Sequence, residues 1–366
     1  MTDFIHFTHE DFDRLRSTYD KWWSGTLGRP VTAIITHGHP TKREIKKAPL
    51  NTMTSWDTSI PVTDFLESHE VYLDTLRFHG DAYPYFNTMA FGPGVVAAFL
   101  GCTPIGSPST VWFRSSDEDI PIEELHFEYN PENPCFRRVA NLYEAAMERW
   151  GGKCVISMAD LGGIMDILAS FRGTENLLCD LYDSPDEVKR CVREIQTAWF
   201  RYFDALNDIM KGTEGYTHWY NMYSAEPSYI LQSDFSYMVG PDMFEEFIGW
   251  ELESSAKRLS NAVYHMDGIG QIAHLEQLLK IDAIKGIQWV PGDGEPSKRN
   301  WDEIQSRILE SGRKLIYGTQ NPDGSSIALA RDKGQLYHGE KHFHISNLDA
   351  AKRYADMHGV SVNEKE

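Results

Sequence analysis

Short runs of β-branched and apolar residues recur along this chain, separated by stretches with helical periodicity, and few folds satisfy that alternation over 366 residues. Eight runs read as strands: Val31 to Thr36, Ala82 to Phe86, Cys154 to Met158, Tyr229 to Asp234, Ala262 to His265, Gly286 to Val290, Leu315 to Gly318 and His342 to Ser346. Between them lie helix-length connections such as Phe244 to Leu259, where Phe244, Phe247, Ile248, Leu252, Ala256 and Leu259 share one face. Strand, helix and strand in succession imply parallel pairing, and the count of units favours a (β/α)8 TIM barrel; an open doubly wound sheet is the alternative.

The segment before the first strand, residues 1–30, reads as an N-terminal helical extension ending in Trp22, Trp23, Gly28 and Pro30. Residues 31–355 form the expected single barrel, with insertions at about 87–150 and 160–228, and 356–366 is a tail. The second insertion breaks at Gly215-Tyr-Thr-His-Trp-Tyr220, an aromatic loop that could line a ligand site.

Lys and Arg number 35 against 54 Asp and Glu, a net charge of −19, and no basic stripe stands out, so nucleic acid is not an expected partner. No apolar run reaches bilayer length, and no basic segment precedes an apolar one at the N-terminus. The expectation is a cytoplasmic chain without membrane contact that acts on a small molecule. Five cysteines without paired spacing, Cys102, Cys135, Cys154, Cys179 and Cys191, read as buried packing thiols.

In a parallel barrel the reacting centre forms where strands run into the following loops. Ala262-Val-Tyr-His-Met-Asp-Gly268 is the sharpest such signal, because residues two apart on a strand face the same side. His265 and Asp267 would then point together, as two metal ligands or as a base beside a carboxylate. The bland alternative makes Asp267 a helix cap and His265 a wall residue. Asp234, after the fourth strand, could hold a cation or a metal, donate a proton, or simply organise its loop. Tyr237 is a second polar group beside it. Asp160, Trp289, Gln320, Asn321 and His344 are candidate substrate-binding residues from their places at other strand ends. His37-Gly-His39 and His342-Phe-His344 also look like paired ligands, but surface or wall histidines are the favoured explanation, with His344 the better candidate from its strand position.

The order of an acidic strand end at Asp234, then Gly240-Pro-Asp-Met-Phe-Glu-Glu-Phe247, then His265-Met-Asp-Gly268 resembles the uroporphyrinogen decarboxylase superfamily. Phe91-Gly-Pro-Gly94, Asp160 and Gly318-Thr-Gln-Asn-Pro-Asp323 match too, so the resemblance spans roughly residues 80 to 350. It implies a (β/α)8 barrel and one of two chemistries: decarboxylation of a carboxylated substrate without metal, or zinc-dependent methyl transfer between a corrinoid (cobalamin) carrier protein and a small substrate or a thiol or folate acceptor. The decarboxylases carry an Arg-rich N-terminal segment, where this chain has only Arg29 in Trp22-Trp-Ser-Gly-Thr-Leu-Gly-Arg-Pro30. The methyltransferases use His-x-Cys and a later Cys on zinc; here His265 is kept, Asp267 replaces the first cysteine, and none follows Cys191. Methyl transfer is the leading expectation, with zinc at His265 and Asp267 and catalysis by Asp234, Tyr237 and His265. A metal-independent decarboxylase, or a non-catalytic barrel that binds a corrinoid or small ligand, is the alternative.

Overall fold

Val31–His37, Ser228–Gln232 and Ile284–Val290 are strands buried on both faces, which is why they read as nearly unbroken apolar runs. In a computed structural model that describes residues 4–292, 301–317 and 334–362, eleven strands occur. They are β1 (Val31–His37), β2 (Arg77–Gly80), β3 (Tyr85–Phe86), β4 (Thr103–Gly106), β5 (Val111–Arg114), β6 (Val155–Ile156), β7 (Ser228–Gln232), β8 (Asn261–Asp267), β9 (Ile284–Val290), β10 (Lys314–Tyr317) and β11 (Leu336–His344).

Seven strands form one sheet in the order β2-β1-β11-β10-β9-β8-β7. From β1 to β7 every pair is parallel, so the C-terminal ends lie along one edge, while β2 runs antiparallel on β1. The strand expected at Ala82 to Phe86 shrinks to its last two residues, and an unexpected strand precedes it. Residues 77–80 pair with β1, the chain turns at Gly80, and only Tyr85 and Phe86 continue, parallel to β6 in a separate two-stranded sheet. Gly80 has φ +61°, and a Cβ there would lie 2.5 Å from the Thr32 carbonyl oxygen, so the turn needs glycine. Pro84 lacks an N–H for a ladder, although its carbonyl accepts from Val155 N at 3.0 Å. The third expected strand shrinks to Val155–Ile156, with Met158 adding one parallel bridge to His218. Among the described residues the ladders do not close a ring, so what stands is a mixed α/β fold around a parallel sheet.

The helix His9–Trp23 begins at a capping box, with Thr8 and Asp11 exchanging bonds to each other's main chain. Its buried face, Phe12, Leu15, Tyr19 and Trp22, joins the main core, where Tyr19 meets Tyr223 at 5.2 Å and Trp22 meets Tyr337 at 6.0 Å. The helical stretch after β7 is interrupted by one π turn at Glu245–Gly249, yet the six face residues read from the sequence are all buried. A hairpin of β4 and β5, inside the first insertion, projects beside the edge where β7 and β8 end.

Candidate active site

Alternation along β8 decides which side chains meet. Tyr264 and Met266 are buried among core side chains, and His265 and Asp267 take the opposite face. His265 Nε2 lies 3.6 Å from Asp267 Oδ2, an ion-pair distance rather than a direct hydrogen bond. His265 Nδ1 lies 2.6 Å from Gln288 Oε1 on β9, and Trp219 meets the imidazole edge-on at 5.3 Å. Burial pulls the imidazole toward its neutral form, but Asp267, Asp234 and Gln288 together outweigh it and raise the pKa above the ordinary histidine value.

Three more carboxylates come from loops far apart in sequence. Asp234 follows β7 and opens a short 3-10 turn to Met238. Asp166, in the first turn of the helix Ile164–Arg172, accepts from the main-chain N–H of Asp234 at 3.0 Å and of Phe235 at 2.7 Å. Gly163 permits that approach: a Cβ there would sit 2.2 Å from Asp166 Oδ2 and 2.4 Å from the Gln232 carbonyl oxygen. Asp160 is buried, accepting from Gly162 N at 3.0 Å and Gln232 Nε2 at 3.4 Å.

Burial pushes Asp160 up to about 7, with the charge of Asp234 acting the same way and His265 opposing it. Burial and then the charge of Asp234 also raise Asp166. Asp234 is exposed at the mouth, yet protein closely surrounds its carboxyl; that desolvation and the charge of Asp267 raise it, while His265 lowers it. All three carboxyls therefore hold their protons to higher pH than isolated carboxyls do.

Asp234 and Asp267 line two adjoining cavities. The smaller, about 340 Å³, is closed by Tyr237, Gly268, Pro291 and Gly292. The larger, about 860 Å³, runs past Asp166 and Gln232 to Trp112 and Arg114 on β5 and Met238. Tyr237 lies flat on Gly268 and Gly270, where a Cβ would come within 2.8 Å of its ring. A third cavity, about 290 Å³, is lined by Arg16, Ile156, Glu214 and Tyr216, away from these carboxylates.

The structure thus brings together His265, Asp267, Asp234, Tyr237 and Asp160. Asp267 caps no helix: the following turn starts from Gly268 without a side-chain cap. Trp289 is a correction. It is 1% exposed and packs on Trp301 at 5.2 Å, because the residue after Gln288 faces away from the cavity side of the sheet. His344 stays at its strand end, with Nδ1 bonded to Ser346 and its ring edge-on to His37 at 5.2 Å, but lines neither cavity of the Asp234 site. Gln320, Asn321 and the Gly318 to Asp323 segment lie outside the described residues. Cys102, Cys154 and Cys191 are buried as expected, Cys135 is half-buried, and Cys179 is exposed.

Two important residues were not read from the sequence. Asp166 looks there like an ordinary acidic residue in a helix's first turn. Gln288 did carry a signal, being a polar residue inside an apolar strand.

Zinc meets an incomplete donor set. Among the described residues no group of three His, Cys, Asp or Glu side chains is placed to hold a metal ion: His265 Nε2 and Asp267 supply two donors, and a closed zinc site takes four.

Fold and pocket together define a mixed α/β protein with an acidic cavity at the C-terminal ends of parallel strands. Among solved structures, a methyltransferase from Methanosarcina mazei shares this fold, with a TM-score of 0.55 over 93% of this chain and 98% of that chain, at 13% identity. No protein-family model and no curated protein matches the sequence. Among the described residues no helix is long and apolar enough to cross a membrane.

Proposed function

We propose that this chain is an enzyme of methyl transfer in which strand-end carboxyls supply the proton that the leaving heteroatom needs. When a nucleophile takes CH3 from a substrate R–X–CH3, a bond to carbon forms, the C–X bond breaks and its electron pair stays on X. A proton delivered to X lowers that barrier, and an ordinary carboxylate at neutral pH has none to give. The carrying observation is that Asp166 and Asp234, which line the larger cavity, share raised proton affinity with Asp160, which lies behind the lining residue Gln232. Asp234, which opens on both cavities, is the donor in this reading, Asp166 and Asp160 back it, and the His265–Asp267 pair returns the proton.

The shared fold and the uroporphyrinogen decarboxylase resemblance support this reaction class and extend it to a corrinoid on a partner protein, which would supply the methyl-accepting nucleophile. Exposed Trp112 and Met238 at the cavity rim suit a partner presenting a large apolar ring. A closed barrel is part of the same reading, supported by β1 lying beside β11. Decarboxylation would need cations at the substrate. Arg29 is held by Asp81 through two bonds of 2.5 and 2.9 Å before β1, at the other end of the strands, which leaves Arg114 as the cation lining the larger cavity among the described residues.

The test is incubation with cob(I)alamin and a panel of small methylated and methoxylated compounds, following methylcobalamin by absorbance. Turnover is expected, with Asp234→Asn slower by about 100-fold or more. A spectral shift on binding without turnover, or equal rates in wild type and variant, would overturn the proposal.

A further inference from the structure

We infer that Gln288 is a positioning residue that keeps the His265 proton on Nδ1 and so leaves Nε2 as the nitrogen that faces Asp267 at the edge of the cavities. The inference rests on the proposed acid–base role of His265.

Gln288 stands directly across from His265 in the β8–β9 register and is 2% exposed. Its side-chain oxygen, 2.6 Å from Nδ1, can only accept, so Nδ1 must carry the hydrogen. A neutral imidazole has one N–H, and Nε2 is then bare. Tyr220 stands close enough to the same amide for the two to interact, and Trp219 stands at 89° to the imidazole plane, restraining its rotation. The aromatic loop ending at Tyr220 thus acts on His265 indirectly, through the amide and the ring plane.

The choice of an amide has a physical reason. A leucine would leave a buried Nδ1–H without a partner, and the proton would move to Nε2, facing Asp267. A glutamate would place another negative charge beside the imidazole and hold it protonated. A neutral acceptor fixes the tautomer without adding charge beside the imidazole.

The experiment is long-range 15N–1H NMR on histidine-labelled full-length protein, with the His265 signals assigned from their loss in His265→Asn. Above the titration midpoint, wild type should show Nδ1 as the protonated nitrogen and Nε2 as the bare one. Gln288→Leu should shift the signals toward the Nε2–H form and lower the midpoint. Gln288→Glu should keep Nδ1–H and raise the midpoint by about one pH unit or more. Wild-type signals of the Nε2–H form, or a Gln288→Leu spectrum identical to wild type, would overturn the inference. If the leucine variant does not fold, the glutamate variant decides alone, an unmoved midpoint counting against it. Failure of methyl transfer would remove the proposed reaction and leave these signals unchanged, so the two fail separately.

Discussion

Asp166 holds Asp234 by its main chain while repelling its side chain: the Asp166 carboxylate accepts the Asp234 N–H at 3.0 Å, and the charge of Asp234 raises the Asp166 pKa. Each carboxyl's proton thus depends on the state of the other. Asp234→Asn removes that charge and leaves the main-chain bond, so the Asp166 midpoint should fall toward the ordinary carboxylate range. Carboxyl 13C titration by NMR measures it, and an unchanged Asp166 curve would show the two to be independent.

His265 is pulled in opposite directions by burial and by its acidic neighbours, with Asp267 the nearest. Asp267→Asn keeps the shape and removes the charge. The His265 midpoint should drop by about one unit or more, read from its Cε1 proton signal. The stability this pair contributes is present below the unfolded histidine value of about 6.5 and lost as pH rises through the raised folded value. The variant should therefore lose more stability at pH 5.5 than at pH 9.

Glu251 lies away from the cavities, 1% exposed, with one oxygen taking Ser255 Oγ at 3.2 Å and the other unpartnered. Burial pushes it up to about 8. Below about 4.5 folded and unfolded chains are both protonated there; as pH rises to about 8 only the unfolded chain releases its proton, so folding loses stability across that window. Glu251→Gln removes this dependence and should gain on wild type by up to a few kcal/mol between pH 5 and pH 9 in urea unfolding. A pH-independent difference would show that Glu251 is charged in the fold.

At Gly163 the backbone is ordinary, with φ −76°, so the constraint is purely one of space. Gly163→Ala drives a methyl group into Asp166 and the Gln232 carbonyl oxygen. We expect a loss of about 1–3 kcal/mol and release of the two main-chain bonds to Asp166. Thermal unfolding reads the first, and faster amide exchange at Asp234 and Phe235 the second.

Trp289→Ala should cost about 3–5 kcal/mol through the cavity it leaves against Trp301. Cobalamin binding at saturating protein should be unaffected. Weaker binding by a variant that stays folded would return Trp289 to the pocket.

What could be read from the sequence follows from local rules. The period-two pattern of β8 put His265 and Asp267 on one face, and the apolar runs located β1, β7, β8, β9 and β10 closely, because a strand buried on both faces must be apolar. The same period, followed one residue further along β9, would have turned Trp289 away from the cavity and Gln288 toward it. The shortening of the second expected strand was set by Pro84 and by the turn at Gly80, whose close contact depends on Thr32 in another strand. Above all, nothing local marks Asp166 as the partner of Asp234, 68 residues away. Proton affinity in this pocket comes from burial and from charges meeting across loops, and those are properties of distance in space. By itself the sequence therefore determined the parallel α/β layout and the His265–Asp267 pair; only the tertiary structure decided which other carboxyls share their protons.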